Sequence, residues 1–358
     1  MDRYGPERIM QVYQPSTGSL GLLVIDNTVL GPGLGGLYFS KDVSVDRASE
    51  TARLYTLMNS LHEVPFGGAC SYIVKGEDWK IDLKEFAAAI APLANSSFIA
   101  CPGGEIGQQE MELYSYASGD VRGTAGKPAS LKGIPFETGA VGLGIAHCAL
   151  EAAHVMRMNE PKISVHGIGR DGLFAARILS RNGAKVIAVS DSESGTVNRD
   201  GLDIESFSKL VKNGGRIDAF SRGKPASREQ ALAEPVDMMV MAGTGLLDRN
   251  MANDINARVI VEGALGGIAR DTESVLEAKG SVVLPDIVAC GGASISSHVE
   301  RIGGNVVDMN DIVLNSMKRM VLKLLEEPGK SLRGAAERLA LERIESGMMK
   351  ARGEIKDE

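Results

Sequence analysis

Aromatic residues are scarce in this chain, 4% of 358, with a single tryptophan. So small a supply argues against a base-stacking platform for single-stranded nucleic acid. Positive charge is short as well. Lys and Arg number 39 against 46 Asp and Glu, a formal net charge of −7, which disfavours nucleic acid or an anionic membrane surface as the main partner. No apolar run is long enough to span a bilayer, and the start, MDRYGPERIM, lacks a signal-peptide core, so a cytoplasmic protein with no membrane partner is expected. The four cysteines, Cys70, Cys101, Cys148 and Cys290, form no C-x-x-C pair. That suits a reducing compartment better than a disulfide scaffold, and no metal is expected from their spacing.

What is present is the composition of a soluble globular protein, 44% hydrophobic and 24% charged, with length enough for two domains. One stretch organises the rest: KISVHGIGRDGLFAARILSRNGAKVIAVSD, from Lys162 to Asp191. Ile163 and Val165 predict a short buried strand. Gly167, Gly169 and Gly172 then match G-x-G-x-x-G, and Leu173 to Ser180 reads as an amphipathic helix stopped by Asn182-Gly183. Lys185 to Ser190 predicts a second strand ending in Asp191, about twenty residues after the glycines. The unit is complete for a dinucleotide. Gly167 permits the tight turn, Gly169 lets a pyrophosphate approach the helix N-terminus, and Asp191 would accept hydrogen bonds from a ribose.

Elsewhere strand and helix patterns alternate. Leu20 to Val29 predicts a strand, followed by a glycine-dense turn over residues 31–36. A helix carries Ala48, Ala52, Tyr55, Met58 and Leu61. Cys70 to Val74 reads as a strand, and Asp82 as the cap of a helix with Phe86, Ile90 and Leu93. Ser97 to Ala100 is a short strand emptying into the loop 102–107. A long helix is expected from about Glu137 to Met158, strands over 236–241, 259–262 and 282–284, and an amphipathic helix pair at the C-terminus. The fold class is α/β.

Separate segments resemble the glutamate/leucine/phenylalanine/valine dehydrogenase family, over nearly the whole chain. DNTVLGPGLGG is similar to the leucine and phenylalanine members. MNSLHEVPFGGACS stands where the family has its lysine-bearing segment ending in P-x-G-G-x-K. CPGGEIGQ resembles P-x-x-D-V-G-T, VEGALGG resembles E-G-A-N, and LPDIVACGGASISSHVE resembles P-D-I-L-A-N-A-G-G…S-x-x-E. The resemblance implies an N-terminal substrate and oligomerisation domain, 1–135, completed by helices over about 303–358. A Rossmann-type domain, 136–302, would bind NAD or NADP. It implies oxidation of an L-amino acid to a 2-oxo acid by hydride transfer, with imine hydrolysis. It also implies a small-molecule substrate or effector, and a homo-oligomer or assembly with an active relative. Cofactor contacts would come from Gly167, Gly169, Arg170, Gly172, Asp191, Ala242, Gly243, Thr244 and Gly263. Gly35, Gly36, Met58 and Ser297 fall on substrate positions.

The family's reactive groups carry over only in part. The lysine that grips the substrate carboxylate is Met58 here, and the lysine that activates water is Cys70. The catalytic aspartate is Glu105. Entry-side Thr and Arg are Val141 and Leu143, and two asparagines near the nicotinamide are Leu265 and Cys290. Methionine makes no charge-assisted hydrogen bond to a carboxylate, so standard deamination is expected to be weak or lost. The alternative is a non-catalytic, nucleotide-binding regulatory or structural subunit. The resemblance also places Cys70, Cys101, Cys290 and His298 near one cleft beside Glu105, a candidate thiol or metal site.

Overall fold

The computed structural model describes residues 2–245, 247–326 and 331–354. First come β1 (Arg8–Gln14), β2 (Ser19–Asn27), β3 (Gly33–Ser40), α1 (Val45–Leu61), β4 (Gly67–Val74), α2 (Trp79–Ile90), β5 (Phe98–Pro102) and α3 (Gln108–Ala117). Next are α4 (Ala140–Val155), β6 (Lys162–His166), α5 (Arg170–Arg181), β7 (Lys185–Ser190), β8 (Gly195–Val197), α6 (Ile204–Lys212) and β9 (Lys224–Ala226). They lead to α7 (Arg228–Leu232), β10 (Val236–Met241), β11 (Ala257–Glu262), α8 (Arg270–Ala278), β12 (Val282–Leu284) and α9 (Asp286–Ala289). The last helices are α10 (Gly292–Arg301), α11 (Val306–Leu325) and α12 (Leu332–Ala351). Two compact units result. The first holds Met1–Thr138, Ala293–Ile312 and Glu337–Glu358, the second Gly139–Gly292 and Val313–Ala336. None of the helices is long and apolar enough to cross a membrane, among the described residues.

The first unit is built on a five-stranded sheet in the order β1-β2-β4-β3-β5. Strand alternation divides its apolar residues between two faces. Leu23, Ile25, Leu37, Phe86, Phe98 and Tyr114 share one core. Leu22, Val24, Cys70 and Tyr72 pack with Ala48 and Ala52 of α1 in another. The glycine-dense stretch expected as a turn instead opens β3, which runs parallel to both β4 and β5. Its glycines serve a close approach of strands: a Cβ at Gly35 would lie 1.8 Å from the Ala69 carbonyl oxygen. Asp82 is not the cap of α2 either. Asp78 caps it, accepting from Lys80 N. The Asp82 carboxylate is used inside the unit, accepting from Ser19 Oγ at 2.6 Å and Gly76 N at 2.8 Å.

The second unit is built on a seven-stranded sheet in the order β12-β11-β10-β6-β7-β8-β9. The five strands from β12 to β7 are parallel, and β8 and β9, which sequence periodicity did not reveal, add an antiparallel edge. Residues 236–241 and 257–262 are almost wholly buried, as strands covered on both faces should be. α4 begins at Ala140, later than expected, because Gly139 ahead of it adopts φ +84°. A side chain there would strike the Phe174 ring at 2.5 Å. Arg333 is buried in this unit and bonds three carboxylates: Glu262, Glu273 at 2.5 Å and Asp286 at 2.5 Å.

Candidate functional site

The glycine turn lies at the C-terminal ends of the parallel strands, where β7 lies to one side of β6 and β10 to the other. That reversal is the topological switch point at which doubly wound sheets hold their ligands. Gly167 has φ +89°, and its Cβ would sit 2.7 Å from the Ala242 carbonyl carbon. Gly172 lies so close that a Cβ would fall 2.1 Å from Gly167 O, whereas a Cβ at Gly169 meets nothing within 4 Å. The open space thus lies over the N-terminus of α5, whose N-cap is Gly169, and orphan N–H groups there suit an anion. Backbone bonds gather the other strand ends. Ala242 N donates to His166 O at 2.7 Å, Gly263 N to Met241 O at 2.8 Å, and Gly167 N to Ser190 O at 2.8 Å. Gly167, Gly169, Gly172, Asp191, Ala242, Gly243 and Gly263 therefore share one edge, with Thr244 following. Asp191 Oδ1 accepts from Glu193 N and Ser194 N, both at 2.8 Å, which fixes the carboxylate. Arg170 Nε stands 3.6 Å from Asp171 Oδ1. These features fit a dinucleotide.

His166, one residue before the turn, is fully buried, and its Nδ1 lies 2.7 Å from Ser190 Oγ. Its Nε2 has no partner among the described residues, and burial pushes the ring down to about 3, so it is neutral. Glu262, ending β11, is pushed up to about 7 by burial and by Asp286, against the Arg333 charge.

In the first unit, Gly36, Cys70 and Cys101 form one row across three strands. Gly36 pairs with Cys101 on β5, and the register Leu37↔Ser71 sets Cys70 beside it on β4. Both thiols are buried, and burial raises both, Cys101 up to about 12. They are neutral and far from nucleophilic. Met58 is fully buried on α1. Glu105 is exposed in the turn after β5. Ser297 Oγ donates to Ala293 O within α10. His298 packs edge-on against Phe66 at 6.1 Å, and Cys290 belongs to the second unit. Among the described residues no three His, Cys, Asp or Glu side chains are grouped to hold a metal ion.

Sequence reasoning did not connect Tyr38, Tyr55 and Tyr72, which lie close to one another, with this site. Tyr38 stacks on Tyr72, centroids 5.2 Å apart at 25°, as its register partner. Its hydroxyl is 3.1 Å from that of Tyr55. Thr51 Oγ1 lies 3.3 Å from Tyr72 Oη, and the Arg47 guanidinium stands 5.0 Å over the Tyr72 ring. Burial raises Tyr38 and Tyr55 well above the usual phenol range. Two aromatics on neighbouring strands, spaced as a register pair, are the only signal in the sequence. Lys127 was overlooked too. It is buried and ion-paired with Glu300, which also accepts from Gly126 N at 3.0 Å and Ile134 N at 2.6 Å.

The chain matches the Glutamate/Leucine/Phenylalanine/Valine dehydrogenase family over residues 133–353, and that family's dimerisation domain over 6–111. The NADP-specific glutamate dehydrogenase of Saccharolobus shibatae is 30% identical, across 97% of this chain and 90% of the relative. The glutamate dehydrogenase of Aeropyrum pernix is 30% identical, across 98% and 92%. Among solved structures, hetero-hexameric glutamate dehydrogenase from Thermus thermophilus in its leucine-bound form superposes with TM-score 0.83 at 26% identity, covering 96% of this chain and 89% of that one. With the two sheets and the glycine turn, these matches mean that the chain belongs to the glutamate/leucine/phenylalanine/valine dehydrogenase family.

Proposed function

We propose that the protein binds NAD or NADP through the second unit and has lost, or nearly lost, ordinary amino-acid deamination. Gly167, Gly169 and Gly172 would cradle the pyrophosphate, with Arg170 beside it. Asp191 would hold the adenosine ribose, and Ala242, Gly243, Thr244 and Gly263 would border the rest. When bound, the dinucleotide supplies a hydride acceptor. The observation that carries the second half is the neutrality of Met58 and Cys70 in the first unit. Met58 and Cys70 are fully buried at the positions where the family resemblance puts two lysines. Losing a charged partner costs about 1.5–3 kcal/mol of binding, and losing a general base a further factor of roughly 10²–10⁴ in rate. Glu105 is no substitute, since a carboxylate repels the substrate's own.

A second reading, a non-catalytic nucleotide-binding subunit assembled with itself or with an active relative, draws support from the same neutrality. The Thermus thermophilus enzyme is a hetero-hexamer. The test is titration with both dinucleotides, then reduced-cofactor assays with glutamate, leucine, phenylalanine and valine at alkaline pH. Saturable dinucleotide binding and turnover orders of magnitude below the ordinary range of about 1–10³ per second are expected. Turnover near one per second on any of the four, abolished by Glu105→Gln, would sink the proposal.

A further inference from the structure

We infer that Tyr38 is an internal ligand: its phenol fills the space over Gly36 and Gly103 where this unit would otherwise admit a substrate's side chain, and it thereby sets what the site accepts. The inference rests on reading the row of Gly36, Cys70 and Cys101, with Met58 of α1, as the substrate side of the site. Gly36 has no side chain, and the side chains flanking it in the row belong to Cys70 and Cys101. The resulting gap is occupied. A Cβ at Gly36 would lie 2.4 Å from Tyr38 Cε2, and one at Gly103 would lie 2.5 Å from Cε1. One ring therefore lies against Gly36 of β3 and against Gly103, the residue that follows β5. Tyr72 stacks on it, and Tyr55 meets its hydroxyl. This half-buried ring is held as a bound phenol would be, by apolar contact on its body and a hydrogen bond at its tip. The two thiols are not a rival explanation. They stand two strand spacings of about 4.8 Å apart, beyond the roughly 7 Å Cα reach of a disulfide.

The site freed of Tyr38 should take a small neutral aromatic of phenol size, for which p-cresol is the probe. Tyr38→Gly removes the whole side chain and should lower the melting temperature by roughly 5–15 °C. In wild type all four cysteines are buried and should react slowly with a thiol reagent. In Tyr38→Gly, mass mapping should find Cys70 and Cys101 labelled at least about tenfold faster, with Cys148 and Cys290 of the second unit unchanged. Millimolar p-cresol should restore both protection and melting temperature in the variant and leave wild type unmoved. Equal acceleration at all four cysteines, or no acceleration at Cys70 and Cys101, would overturn the inference, as would p-cresol acting alike on both proteins. If Tyr38→Gly does not fold, Tyr38→Leu, which keeps apolar bulk but not the ring's shape, is read by the same labelling. Dinucleotide titration of the same variant is a separate readout. Its failure in wild type would strike the nucleotide reading and leave this one standing.

Discussion

Gly169 and Gly172 belong to one turn but answer to different constraints. Space beyond Gly169 is open, while Gly172 is pressed on Gly167 O. Gly169→Val should therefore leave the melting temperature within a few degrees of wild type and abolish dinucleotide binding, because its side chain would occupy the anion's place at the helix N-terminus. Gly172→Ala should lose both binding and stability, since something must move from a 2.1 Å contact. Calorimetric titration with thermal melts separates the two, and equal effects would refute the distinction. Two buried groups predict a pH dependence of the second unit. Glu262 titrates at about 7 in the fold and near 4.3 unfolded. The fold holds this proton more tightly, so its contribution is full below about 4.3, declines as pH rises through the window, and is gone above 7. His166 titrates at about 3 in the fold and near 6.5 unfolded. Its contribution is full above about 6.5 and is lost as pH falls towards 3. The two oppose each other between about 4.3 and 6.5, so Glu262→Gln should make stability fall more steeply on acidification than in wild type. Parallel melting curves from pH 4 to 8 would refute this.

At the scale of elements, the segment between α3 and α4 has little regular structure of its own, only short single turns. It is tied down by α10: Glu300 accepts from Lys127, Gly126 N and Ile134 N. Buried backbone N–H groups need such partners, and a lysine buried without its carboxylate is an uncompensated charge. Glu300→Ala should thus destabilise the first unit by about 3–5 kcal/mol, read by urea unfolding. A loss within 0.5 kcal/mol, the range of ordinary surface changes, would show that the segment holds itself. The same scale explains where sequence reading succeeded. β6, α5 and β7 are contiguous, and their start, turn and stop signals act within a few residues. β8 and β9, only Gly195–Val197 and Lys224–Ala226 long, are too short for a period, and only the pairing of β8 with β7 and of β9 with β8 makes them strands.

At the scale of the whole molecule, β1 is one of the two edge strands of the first unit's sheet, paired with β2 alone. An uncovered edge is a template for another strand, and residues 6–111 match a dimerisation domain. A dimer or larger assembly is therefore expected. Light scattering at roughly tens of micromolar, where only small interfaces come apart, checks it, and a monomer would count against it.

The sequence by itself determined the alternating α/β plan, the nucleotide unit from Lys162 to Asp191 and the absence of lysine at positions 58 and 70. Backbone sterics, capping and hydrophobic period act over a few neighbours, and the motifs are contiguous enough to match. What fills the first unit's site was settled by tertiary structure. Tyr38 comes from β3, Tyr55 from α1, Tyr72 and Cys70 from β4, Cys101 from β5 and Gly103 from the loop just after it. The same holds for Arg333, whose three carboxylates come from the end of β11, from α8 and from α9. Such neighbours are joined only by strand register and helix packing between distant segments, which local propensity does not encode.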